Sequence, residues 1–282
     1  MPAVFVLIWS TGFIVARYGM PHAPPLTFLS WRYALSVLAF GLWIAATRPA
    51  FPRNGAQVLH LAATGVLMHA GYLGGVWAAV KAGAPAGTVA LIVGLQPVLT
   101  ALWVSASGQE ARASARQWLG LLLGLLGLLL VVWRKLGSGE ITPFNFLLCL
   151  GALLCITVGT LYQKRFVKPC DVRTASLVQL SAALAVSLPL ALLEPTGMQW
   201  HPELIGALAW SVLALTLGAS SLLYLLIQRG AATRVTSLMY LVPPCTALLA
   251  WLLFREPLGP TVLAGMALTA LGVSLVVRGA AR

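Results

Sequence analysis

Runs of about 20 apolar residues recur along nearly the whole chain, each bounded by a short cluster of Pro, Gly and basic residues. A helix of that length crosses a hydrocarbon core of ~30 Å. Lipid offers no partner to a free backbone N–H or C=O, so a segment lying there folds as a helix, which satisfies its own groups. The runs therefore predict an all-α integral membrane protein. Only 9% of the 282 residues are charged, against roughly 25% in soluble chains, too few to coat a water-facing surface.

Ten transmembrane helices are expected, near 2–18, 27–46, 58–80, 88–107, 116–133, 144–163, 174–193, 204–227, 234–253 and 260–278. Turn-forming clusters separate most of them, among them Pro21-His22-Ala23-Pro24-Pro25, Gly83-Ala84-Pro85 and Gly137-Ser138-Gly139. The loops leave no room for an attached soluble domain. Span 1 is short, because Arg17 follows it closely; either Arg17 snorkels to the interface or the start codon lies upstream. Met1-Pro2-Ala3 lacks the basic opening of a signal peptide.

The net charge of +12 comes from Lys and Arg scattered through short loops. No basic face interleaved with aromatics appears, which argues against nucleic-acid binding. The distribution reports orientation instead. With a cytoplasmic N-terminus, 12 of the 18 basic residues fall inside and five outside, with Arg32 left within a span. Both termini are therefore expected in the cytoplasm, with the chain in the cell (inner) membrane. The four cysteines show no metal-ligand spacing, and no metal or cofactor is expected.

Sliding the chain against itself by 147 residues pairs Gly12 with Gly159, Arg17 with Lys164, Thr27 with Thr174 and Pro97 with Pro244. Allowing one or two deletions, Glu110 meets Glu256 and Gly127 meets Gly272. Two five-helix repeats are expected, 1–135 and 140–282. An odd number of spans per copy makes the second enter from the opposite side, the inverted repeat on which many secondary transporters run.

The residues that carry these repeats resemble the drug/metabolite transporter superfamily, EamA-type branch. The matching stretches are Trp9-Ser10-Thr11-Gly12-Phe13, Pro24-Pro25-Leu26-Thr27-Phe28 with Trp31-Arg32-Tyr33, and Gly94-Leu95-Gln96-Pro97. Glu110 and Glu256, each followed by a Gly-rich helix, complete the pattern. The resemblance implies spans 1–4 and 6–9 around a central cavity, spans 5 and 10 at the periphery, and movement, often outward, of amino acids, other metabolites, sugar phosphates or drugs. The second copy departs from it where Arg32 matches Gln179.

Candidate site residues follow from polar or helix-breaking groups inside spans. Pro97, Pro243 and Pro244 lack the N–H that would bond back to Val93, Met239 and Tyr240, so spans 4 and 9 are expected to be broken. Gln96 lies beside one break. Arg32 is costly in a bilayer and should face the cavity, holding a substrate carboxylate or phosphate, or else bond helix carbonyls. His69 and Tyr72 share one face of span 3; His69 binds substrate, carries a proton, or bonds a neighbouring helix. Trp9, Tyr162, Gln179, Ser220, Ser221, Tyr224, Ser237 and Tyr240 are further candidate cavity liners.

The six carboxylates all fall at loops or span ends, which disfavours a carboxylate relay for proton or sodium coupling. A secondary transporter of small metabolites working by alternating access is the expected function. A channel would need like groups from a symmetric pore, and an intramembrane enzyme an acidic or metal partner for its single mid-depth His. Gly120 and Gly124 in span 5 provide internal packing or a homodimer face, internal packing being favoured. A zwitterion suits Arg32; an apolar drug suits aromatic walls.

Overall fold

The computed structural model describes residues 2–52, 54–96, 98–100, 103, 114–137, 139–219, 222 and 241–280. Its helices are α1 (Pro2–Gly19), α2 (Pro25–Thr47), α3 (Gly55–Gly65), α4 (Tyr72–Lys81), α5 (Ala86–Val93), α6 (Ala115–Gly137), α7 (Pro143–Phe166), α8 (Val172–Ala191), α9 (Pro202–Trp210), α10 (Val242–Phe254) and α11 (Pro260–Ala280). A π-helical turn, Val66–Gly71, joins α3 to α4, and a second, Ser211–Ala219, follows α9. No strand occurs among the described residues. Each of the ten apolar segments holds a described helix. Pro25–Thr47, Gly55–Lys81, Pro143–Phe166, Val172–Ala191 and Pro202–Ala219 are each long and apolar enough to cross a membrane.

Helix starts explain where the carboxylates went. The first amides of a helix have no acceptor within it and carry the positive end of its dipole. Asp171 accepts from the Arg173 N–H at the start of α8. Glu194, beyond the end of α8, accepts from the N–H groups of Leu26 and Thr27 at 3.0 and 2.7 Å, so it caps α2. Glu256, beyond α10, accepts from Ala86 N–H at 3.1 Å and so caps α5. Thr142 and Asn145 form a reciprocal capping box on α7.

The most extensive packing joins the two halves of the chain. α2 and α3 lie on α8, α4 on α7, α5 on α10, α1 on α9 and α10, and α6 on α11. Exchanging the halves by the 147-residue offset maps these pairings onto one another: α1 on α9 becomes α7 on the α3–α4 segment. Loop contacts fall into two groups. In one, Gln199 N–H donates to the His22 carbonyl at 2.8 Å, Lys81 Nζ to Met20 O at 2.6 Å and Asn145 Nδ2 to Ala82 O at 3.3 Å. In the other, Gln57 Nε2 donates to Lys168 O at 2.8 Å and Gln57 Oε1 accepts from Lys168 N–H at 3.1 Å.

α6 shows both faces of the membrane problem. Trp118, Leu122, Leu125, Leu129 and Trp133 point outward, Trp133 81% exposed. The opposite face is glycine. A Cβ on Gly127 would lie 2.5 Å from the Gly265 carbonyl, and one on Gly272 would strike Gly120 O and Gly124 N. Without a hydrophobic drive between helices in lipid, close backbone approach supplies the attraction. The glycine face considered for a homodimer is therefore taken by α11 within the same chain. Gly272→Leu is expected to separate α6 from α11 and destabilise the chain by about 1–3 kcal/mol. Gly151→Leu, with open space beside it, should change little. Thermal midpoints in detergent distinguish the two.

Candidate polar site between the repeats

Arg32 lies on α2 with only 8% of its surface exposed. Its Nε and Nη2 donate to Thr216 Oγ1 at 3.3 and 3.1 Å. Thr216 sits in the second π-helical turn, and its hydroxyl donates onward to the Ser211 carbonyl at 2.8 Å. That acceptor is five residues back, the spacing a π turn creates. The hydroxyl thus accepts from the guanidinium and donates to the backbone. Among the described residues no carboxylate pairs with Arg32. Tyr33, Tyr72 and His69 lie within its electrostatic reach.

His69 occupies the first π-helical turn, half-buried, with its imidazole in polar contact with the Gln179 side chain of α8. Its carbonyl accepts from Tyr33 Oη at 2.8 Å. Tyr72 follows one turn later, buried. Arg32, His69, Tyr72 and Gln179 therefore gather in one layer. Tyr33 and Thr216 belong to it as well, and composition alone gave no reason to choose either from the other hydroxyls.

The layer has an internal symmetry. The 147-residue offset pairs Arg32 with Gln179, and it also pairs His69 with Thr216. Each half therefore sends a polar group from its second span to the π turn of the other half. The turns correspond too, since Val66–Gly71 maps into Ser211–Ala219. Small residues admit the close approach. A Cβ on Gly65 would collide with the Gln179 backbone, one on Gly159 would lie 2.7 Å from Met68 Cγ, and one on Gly12 3.8 Å from Leu215. Met68 and Leu215 are again equivalent positions.

The helix breaks lie beside each other. α5 ends at Val93, and Leu95 N–H reaches only to Ile92 O at 3.1 Å, a tightened last turn. Pro243 and Pro244 do not interrupt a described helix: they form the first turn of α10, where a missing N–H costs nothing. A Cβ on Gly94 would sit 2.7 Å from Pro243 Cγ, so the two breaks abut. A small cleft there is lined by Leu91, Gly94, Pro243, Pro244, Met266 and Thr269.

Other expected residues stand apart from the layer. Gln96 Nε2 donates to Thr160 Oγ1 of α7 at 2.9 Å. Trp9 is half-buried and packs on the apolar core. Tyr162 shares a hydrogen bond with His60 Nδ1 at 2.8 Å. Pro97, Tyr224 and Tyr240, with Glu110, Ser220, Ser221 and Ser237, lie outside the described residues. What the layer offers is a fixed cation surrounded by neutral donors, which favours an anionic group entering it.

Comparison with known proteins agrees on one family. The model of the EamA-like transporter family matches residues 3–133 and again 144–278. A protein of Salmonella typhimurium named "Probable amino-acid metabolite efflux pump" is 26% identical, over 97% of this chain and 92% of its own length. An uncharacterized transporter of Bacillus subtilis, YvbV, is 25% identical over 97% of this chain and 89% of its own length. A crystal structure at 19% identity covers 100% of this chain and 97% of that one with a TM-score of 0.68, a likeness of fold.

The swapped pairs make a checkable expectation. Thr216→Val leaves Arg32 without its acceptor, so it should destabilise the wild type and cost much less in an Arg32→Met background. A coupling of about 1 kcal/mol is expected from a double-mutant cycle read by denaturant unfolding in detergent.

Proposed function

Because the chain belongs to the EamA-like transporter family, we propose that it is a secondary carrier that moves carboxylate-bearing small metabolites, amino acids among them, across the cytoplasmic membrane by alternating access. The observation that carries the reading is the hydrogen bonding of Arg32 to Thr216 across the repeats, at a π turn whose equivalent in the first repeat holds His69. Many secondary transporters keep their site at such a repeat interface, among interrupted helices.

Ten spans with the repeats inverted is the reading that the loop contacts support. The residues joined to His22, Met20 and Ala82 lie in loops of one parity, and Gln57 and Lys168 in loops of the other. The repeat offset carries a loop of one group onto a loop of the other. With the basic residues concentrated in the second group, both termini face the cytoplasm.

In this mechanism a carboxylate displaces Thr216 from the Arg32 guanidinium and takes its two N–H groups. The displacement releases α2 from the second π turn, so substrate is bound differently by the two states, as a conformational shift requires. The buried hydroxyls of Ser36, one turn beyond Arg32, and of Ser211 have no partner among the described residues and supply further donors. No described carboxylate lies within the layer, which favours exchange or facilitated movement over a carboxylate-driven pump. Outward transport accords with the name of the Salmonella relative.

Counterflow in proteoliposomes, run with a panel of amino acids and their amides, tests the reading. Saturable exchange of an acid, with the matching amide poorly carried, is expected. Arg32→Gln should raise the KM for the acid by about tenfold or more, the equivalent of ~1.4 kcal/mol. Equal transport of acid and amide would overturn the carboxylate assignment, and unsaturable flux would overturn the carrier. Single cysteines at His22 and Arg48 should react with impermeant reagents from opposite faces, His22 from outside.

A further inference from the structure

Outside the polar layer, three side chains with metal-ligating atoms converge. His22 lies between α1 and α2; His201 caps α9 and Glu203 stands in its first turn. One nitrogen of each imidazole and a carboxylate oxygen of Glu203 lie within 4.8 Å of one another. His22 Nε2 is 3.1 Å from Glu203 Oε2 and His201 Nδ1 is 3.9 Å from it. The imidazoles stack, with centroids 4.3 Å apart and planes 11° from parallel.

We propose that His22, His201 and Glu203 form a site for a divalent transition ion of the zinc class. Two imidazoles and one carboxylate are donors that zinc takes in tetrahedral sites, at about 2.0–2.2 Å, with water completing the set. The ligand atoms are already close, and one imidazole turning out of the stack brings both nitrogen lone pairs onto one ion. The backbone supports them: Gln199 N–H holds the His22 carbonyl at 2.8 Å. The Glu203 N–H contact to His201 Nδ1, at 3.3 Å, is long and easily given up for a metal. His201 and Glu203 are each half exposed, so an ion reaches them from solvent.

The ligands come from both repeats, His22 from the first and the other two from the second. A bound ion therefore ties the α1–α2 loop to the start of α9. Resting on the carrier reading, this tie is a clamp: alternating access requires the repeats to shift against each other, and external metal slows it.

Zinc titration of the purified full-length chain in nanodiscs, against a chromophoric chelator, reads binding without any transported solute. One micromolar-affinity Zn2+ per chain is expected. His22→Ala, His201→Ala and Glu203→Gln should each weaken it about tenfold or more, while His60→Ala leaves it unchanged. All three ligand positions are at the surface, and thermal midpoints confirm that the variants fold; Zn2+ should raise the midpoint of the wild type and not of His22→Ala. Unchanged affinity in His22→Ala and His201→Ala, or no stoichiometric binding, overturns the site. In counterflow, external Zn2+ should slow wild type and spare His22→Ala; binding with undiminished flux overturns the clamp alone.

Discussion

A guanidinium held among apolar helices sets the terms for the rest of this structure. Arg32 keeps its proton and is largely buried, so something inside the bundle must accept its N–H groups. Among the described residues that acceptor is a hydroxyl, Thr216 Oγ1, and it comes from the other repeat. That hydroxyl is free to accept because its own O–H donates to Ser211 O. A regular α-helix would offer the carbonyl four residues back. The π turn rotates the residue by part of a turn and aims it across the interface. Backbone register, hydroxyl and cation are one arrangement.

The same logic explains why the halves interlock rather than stand side by side. In lipid, apolar surface gains nothing by leaving its surroundings, so contact must come from close backbone approach and polar pairing. Glycine supplies the first at Gly65, Gly127 and Gly159. Carboxylates supply the second at the bundle's edge, where Glu194 and Glu256 meet helix starts belonging to other elements. Nearly all of these contacts cross between residues 2–137 and 143–280.

Much of this was legible in the sequence, for physical reasons. The apolar runs were long enough that a helix in each was the only solution lipid allows. Arg32, His69, Tyr72 and Gln179 were chosen singly, as polar groups out of place, and they meet because hydrocarbon leaves such groups nowhere else to go. The π turns were illegible: they shift a hydrogen-bond register without changing the apolar pattern, and Val66–Gly71 reads like any helical stretch. Thr216 was hidden for a different reason. Threonine in a membrane helix usually bonds its own backbone, so only its equivalence to His69 distinguishes it. Pro243 and Pro244, read as an interruption, stand in the first turn of α10, and the stretch before Leu241 lies outside the described residues. His22 and His201 are separated by most of the chain, and no spacing rule joins them.

The tryptophans of α6 have a bearing on the surrounding lipid. Trp118 and Trp133 stand outward near its two ends, about 22 Å apart along the axis at 1.5 Å per residue. Indoles settle at the headgroup boundary, while an ordinary hydrocarbon layer is ~30 Å deep. The α6–α11 edge is therefore a short wall. Acyl chains beside these indoles must splay or shorten to match, and a thicker membrane presses on this flank. Bilayer depth becomes a mechanical load applied at one side of the molecule.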